Sequence, residues 1–281
     1  YDPSGVAVGL DGTIYVVEGG NDRVQQFTPD GQFVRTWGSQ GSGPGQFLDP
    51  FGVAVGPDGS VYVTEKGNHR VQRFSAAGQF LGMWGSQGSG AGQFEEPFSV
   101  AVAANGTVHV TDHLNHRIQS FSAAGQFLSQ WGAYGDQNGQ LDGPLGVAVA
   151  PDGSVYVSEL WNSRVQRFTA NGDFLTTWGE WGVTDGKFEG LAGVARAGDG
   201  TLYVAGHDIQ VFSQEGLYLG HWGGWGSGDG EFQETGGVAV APTGTVYVAD
   251  RGNHRVQYFT ADGQFLGQWG SEGQGDGQFT Q

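Results

Sequence analysis

The chain has 281 residues, a formal net charge of −17, 54 glycines, 9 tryptophans and no cysteine. Nucleic acid and anionic membrane surfaces require dense Lys/Arg patches, so both are poor partners for so acidic a chain. The missing cysteines exclude disulfides and thiolate metal sites, no apolar run is long enough to span a bilayer, and the aromatic content argues against disorder.

In chain order, "GVAV" at Gly5 opens a short apolar strand and returns at Gly52, at Ser99 as "SVAV", at Gly146, at Gly193 as "GVAR", and at Gly237. The spacing is 47 residues through Gly193 and 44 to Gly237. An unbroken repeat of this length predicts one closed repeat architecture spanning 1–281. The units are expected at about 5–38, 52–85, 99–132, 146–179, 193–223 and 237–270, joined by Gly-rich linkers.

Within Gly52 to Gly85, Val53 to Val55 read as a strand, "PDGS" as a turn and "VYVTE" as an alternating β-branched strand. Arg70 to Ser75 alternates again, and Gln79 to Trp84 forms the last strand. Four short antiparallel strands with two apolar faces are stable only when stacked, and radial stacking closes a ring. The prediction is an all-β, six-bladed β-propeller in which each blade is a four-stranded antiparallel sheet.

Between the second and third strands of each unit lies a motif: "GGNDRVQQF" at Gly19, "KGNHRVQRF" at Lys66, "HLNHRIQSF" at His113, "LWNSRVQRF" at Leu160 and "RGNHRVQYF" at Arg251. With its "NHR" signature, the chain resembles the NHL-repeat six-bladed β-propeller family over nearly its whole length. That resemblance implies the fold strongly and the function weakly.

A carboxylate precedes each motif: Glu18, Glu65, Asp112, Glu159 and Asp250. Unit five reads "YVAGHDIQVF" from Tyr203, three residues short, with Gly206 for the carboxylate and neither Asn nor Arg. Joint loss of acid and base is what a structural ion pair predicts, because an orphaned charge is costly. Arg70 with Glu65 is therefore read as a turn-closing pair, and Asn68 as a turn former that bonds nearby backbone. His69, His116 and His254 are expected to be exposed turn residues on separate blades, too far apart to share a metal.

The motif loops and the inter-blade linkers emerge on one face, where function concentrates in such folds. The repeats differ there. Before the inner strand stand Ser4, Phe51, Phe98, Leu145, Ala192 and Gly236. After the carboxylate stand Gly19, Lys66, His113, Leu160, His207 and Arg251, with Trp161 adding bulk. Past the blade-ending Trp stand Gln40, Gln87, Tyr134, Trp181, Trp225 and Glu272. The candidate binding residues are Phe51, Phe98, Leu145, Lys66, His113, Trp161, His207, Arg251, Tyr134, Trp181 and Trp225, an apolar and aromatic arc on blades two to five with a few polar heads. The bland reading has these side chains filling gaps on their own blades.

Related propellers include peptidyl-amidating lyases, similar in the "WGSQGSGPGQFLDP" linker of Trp37 to Pro50; the family places zinc-binding histidines before certain inner strands. Here those positions hold no histidine. Gluconolactonase-type propellers hold a metal with carboxylates and amides; only His113, His207 and Asp208 form a weak group here. "GSGDGEF" at Gly226 lacks the EF-hand ligand spacing, and no nucleophile, base and orienting group can be named together.

The expectation is a non-catalytic, monomeric propeller binding a protein, peptide or glycan through the loop face of blades two to five, with no cofactor and no bound metal. A metal-dependent hydrolase or lyase at the channel mouth is the alternative. The chain opens on Tyr1 rather than Met, which leaves room for a removed leader, and an exported protein is expected. Ring closure is expected without strand exchange. Gly277 to Gln281 followed by Tyr1 to Ser4 mimics the linker at Gly45 to Phe51, with Phe279 packing as Phe47 does.

Overall fold

The computed structural model describes residues 3–279; the linker comparison at positions 1, 2, 280 and 281 lies outside the described residues. Six four-stranded sheets, each made of strands consecutive in sequence, form a six-bladed propeller. Blade two comprises Pro50–Val55, Val61–Glu65, Arg70–Phe74 and Phe80–Trp84.

Its inner strand begins earlier than the apolar signature: Pro50 pairs with Glu65, and the register shifts before Val53 meets Val63. A proline is tolerated at the first position of a strand, where its missing N–H breaks no ladder. Blade six has Thr235 at this position and keeps the six-residue strand, paired to Asp250, whereas in blade five, where Gly206 replaces the carboxylate, the inner strand shrinks to Val194–Arg196. The turns after the inner strands are closed by side chains, Asp58 accepting from the Ser60 N–H at 2.9 Å and Asp152 from Ser154 at 2.9 Å.

The core lies between blades. Val53, Val61, Val63 and Phe74 of blade two bury against Ala7, Tyr15, Val17 and Val24 of blade one, with linker residue Phe47 among them. Full burial of a side chain of this size contributes about 1.5–3 kcal/mol. A tyrosine of the second strand reaches across five of the six interfaces; Tyr62 donates to Ala123 O at 3.4 Å, Tyr203 to Ala261 O at 3.0 Å and Tyr247 to Pro29 O at 3.0 Å. In blade three His109 takes this position and turns instead to the Ser120 hydroxyl at 2.9 Å. The blade-ending tryptophan lies over a turn glycine of the next blade, so close that a Cβ on Gly78 would sit 2.7 Å from the Trp37 ring.

Blades six and one meet by the same contacts. Phe279 packs on Phe27 with centroids 6.1 Å apart, as Phe47 packs on Phe74 at 5.5 Å. Trp269 covers Gly31 as Trp37 covers Gly78. No strand is exchanged, as the sequence comparison anticipates. The six inner strands surround a central channel of about 790 Å³, and the motif loops and linkers ring one of its mouths.

Candidate functional site

The repeated motif is a clamp on the linker. Arg70 bonds buried Glu65 and also donates to Ser42 O at 2.6 Å, Gly43 O at 3.2 Å and Gln46 O at 2.8 Å. Asn68 donates to Glu65 at 2.6 Å and to Gly41 O at 2.9 Å. This corrects the reading of Asn68 as a turn former bonding nearby backbone: its backbone partner lies 27 residues earlier. The residue in the left-handed region is the next one, at φ 50° for His69 and 49° for Asp22. Nor are these histidines simply exposed. His69 Nδ1 accepts from Glu96 N and His116 Nδ1 from Gly143 N, each at 3.3 Å, tying the motif to the following linker as well.

Two sets of residues in this framework escaped the sequence reading. Gln72 donates to Gln46 O at 2.7 Å and to Glu65 at 2.8 Å, and it accepts from Gly45 N at 2.9 Å; its presence in every repeat was the available signal. Thr64 accepts from Gly52 N at 2.8 Å and donates to Phe98 O of the next blade at 2.6 Å. Thr111 and Ser158 repeat that bridge, to Leu145 O at 2.9 Å and Ala192 O at 3.0 Å.

The predicted arc divides into two groups. On blades two to four the rings form a continuous run: Phe51 to Phe98 at 4.6 Å, Phe98 to His113 at 4.5 Å, His113 to Trp161 at 4.9 Å, Trp161 to His116 at 5.7 Å and His116 to Tyr134 at 4.9 Å. Lys66 Nζ lies 5.0 Å from the centroids of both Phe51 and Phe98 and 2.9 Å from Asp49. His113 is buried within the run, and burial lowers its pKa, with the Pro144 carbonyl opposing. Leu145 lines the channel wall alongside Phe51 and Phe98.

On blades five and six the residues stand apart from that run. Trp225 packs near His207 at 6.1 Å, and His207 faces Glu189 at 3.7 Å. His207, Trp225 and Arg251 line the channel mouth. Trp181 is 72% exposed, Trp225 64%, Tyr134 69% and Trp161 51%, so none is buried as blade filling. The weak group of His113, His207 and Asp208 is not brought together: His113 packs on blades three and four, the other two belong to blade five. Among the described residues no three His, Asp or Glu side chains converge where a metal could sit.

The NHL repeat model matches residues 47–74, 141–168 and 232–259, each running from the linker phenylalanine or leucine through the clamp to the third strand. The chain is an NHL-repeat propeller. No curated protein matches this propeller in sequence. Among solved structures it is similar to virginiamycin B lyase from Staphylococcus aureus, at 15% identity and TM-score 0.64, covering 94% of this chain and 83% of that one. A gluconolactonase from Xanthomonas campestris has 18% identity and TM-score 0.66, covering 89% and 83%. A chain of the nidogen–laminin complex has 14% identity and TM-score 0.67, covering 91% and 92%. At these identities the likeness is one of fold, shared by enzymes and by a protein found in a protein complex. What distinguishes this NHL propeller is carried by its own side chains.

Proposed function

We propose that this NHL propeller is a non-catalytic recognition module that binds an extended protein segment on the aromatic face of blades two to four. The observation that carries the reading is the unbroken, partly exposed ring run from Phe51 through Trp161 to Tyr134. Its first rings are tilted to one another by 43–56°. Such a face has notches for inserted side chains rather than the flat platform on which a sugar stacks. Lys66 between Phe51 and Phe98 adds a cation at the apolar end, suited to a carboxylate or an aromatic ring on the segment. The alternative, a metal-dependent hydrolase or lyase at the channel mouth, lacks a convergent donor set among the described residues.

Peptide and glycan arrays probed with the wild-type propeller and with Trp161→Ala test the reading. Selected peptides should bind, and Trp161→Ala should weaken them by about 2 kcal/mol, as expected for a central anchor, while thermal stability stays close to wild type. Selective glycan binding without peptide binding, or unchanged affinity in the variant, would overturn it.

A further inference from the structure

Blade five lacks the clamp, yet its linker keeps the shape that the clamp holds elsewhere. Lys187 N donates to Thr184 O as Gln46 N donates to Gly43 O, and Gly182 N donates to Phe188 O as Gly41 N donates to Phe47 O. Gln210 does what Gln72 does, donating to Lys187 O at 2.6 Å and accepting from Gly186 N at 2.9 Å. What is missing is the guanidinium. Gly182 and Val183 stand where Gly41 and Ser42 receive Asn68 and Arg70. Their carbonyls accept no hydrogen bond from any described residue.

A cavity of about 160 Å³ opens there, lined by Gly182, Val183, Lys187, Asp208, His221 and Trp225. Its walls are counterparts of the groups around Arg70. Ala205 pairs with Ile209 as Thr64 pairs with Val71, so Asp208 occupies the register of Arg70. His221 lies opposite Gln210 as Met83 lies opposite Gln72 and Gln130 opposite Gln119. Those positions touch the clamp: Met83 Sδ lies 3.3 Å from Arg70 Nη1, and Gln130 Oε1 accepts from Arg117 at 2.9 Å.

Nearby charges are turned elsewhere. Lys187 pairs with Glu180 at 2.8 Å, His207 with Glu189 at 3.7 Å, and His221 with Asp185 at 3.5 Å and the Tyr218 hydroxyl at 2.7 Å. Asp208 makes no ion pair within 4 Å among the described residues, and burial raises its pKa against the opposing pull of His221, the Gln210 amide and His207.

We propose that this void is a receptor site for an external guanidinium group. The same backbone cradle holds an arginine in the other five blades, and here an acid stands where the arginine would be. The space is several times the ~30 Å³ share of a water molecule. A planar guanidinium presents forked donors to two carbonyls and a carboxylate at once, which the compact ammonium of lysine does less well. The site lies on blade five and stands independently of the aromatic face.

The test is titration of the whole propeller with N-acetyl-L-arginine amide, free L-arginine and a Gly-Gly-Arg-Gly-Gly peptide, read by calorimetry and by the fluorescence change of Trp225. The neutral isostere N-acetyl-citrulline amide serves as control. Saturable binding at millimolar concentration is expected, weakened about tenfold or more both by the citrulline isostere and by Asp208→Asn, each of which removes one charge of the pair. Tighter binding of the pentapeptide assigns the group to a polypeptide; tighter binding of free arginine assigns it to a small molecule. A second variant, in which the sequence of Glu65–Arg70 replaces Gly206–Asp208, supplies an internal guanidinium and should raise Tm while abolishing binding. Equal binding of the citrulline isostere, retained binding in the clamp-restored variant, or no saturation by arginine amide would each overturn the proposal.

Discussion

The guanidinium of Arg23 donates to the carbonyl of Gln278 at 2.8 Å across a sequence separation of 255 residues. The same bond joins Arg70 to Gln46 within the chain, at 2.8 Å. The seam of the ring is therefore stitched with the same arginine-to-linker hydrogen bond as its interior interfaces.

Arg70→Ala should be strongly destabilising. Glu65 is fully buried, and removing its partner leaves a buried carboxylate without its cation and the Ser42 carbonyl without its donor, while Gly43 O and Gln46 O keep only the Gln46 N–H and Gln72. The expected cost is about 3–5 kcal/mol, the range for breaking a buried pair. Replacing Glu65 and Arg70 together by leucine should cost less than the sum of the single changes. Additive denaturation free energies would argue against a coupled clamp.

His109 makes stability depend on pH. Burial lowers its pKa to about 4, so between the ordinary value near 6.5 and about 4 the unfolded chain takes up a proton that the folded chain refuses. Stability is full above the upper value and falls as pH drops through this window, by up to about 3 kcal/mol. His109→Tyr restores the residue of the other blades. The difference in Tm between variant and wild type should widen from pH 7 to pH 4.5; a constant difference would refute the assignment.

Gly78→Ala and Gly59→Ala separate backbone strain from packing between blades. Both glycines have φ near +79°, at 79° and 78°, so either alanine incurs the left-handed penalty of about 1 kcal/mol. Only at Gly78 does the new methyl meet the Trp37 ring; at Gly59 nothing lies within 4 Å. Gly78→Ala should be the more destabilising by a further ~1–3 kcal/mol, the cost of overpacking. Matching urea midpoints would show that the tryptophan yields freely.

Thr64→Val tests the hydroxyl bridge. The isosteric change leaves Gly52 N and Phe98 O without their shared partner, at an expected cost of about 1–3 kcal/mol. Amide exchange at Gly52 should accelerate; unaltered protection there would contradict the bridge.

The sequence makes the blades legible because each repeat states its four strands in local alternation, and repetition removes the ambiguity of any single copy. It also makes the Glu65–Arg70 pair legible, since blade five loses acid and base together. It hides the other half of the clamp. Arg70 reaches carbonyls 24 to 28 residues earlier, and backbone acceptors carry no residue signature. The candidate face was legible only as a list of positions where the repeats disagree. That His113 and His116 bridge Phe98 to Trp161 and Tyr134 depends on neighbouring blades bringing different repeat positions together, which no single-repeat comparison displays.

The clamp also imposes an order on assembly. Each motif grips the linker made before it, except that of blade one, whose Arg23 and Gln25 wait for the carbonyls of Gln274, Gly275 and Gln278. During synthesis from the N-terminus, blades two, three, four and six can each secure their linker as soon as their own motif is made. The earliest buried carboxylate, Glu18, is held by Asn21, Arg23 and Gln25 of its own blade, but Arg23 and Gln25 meet their carbonyl acceptors only when the linker at 274–278 arrives. A nascent chain halted before residue 274 should hold a protease-sensitive first blade beside protected later ones, so that maturation runs outward from the middle blades to the seam between blades six and one.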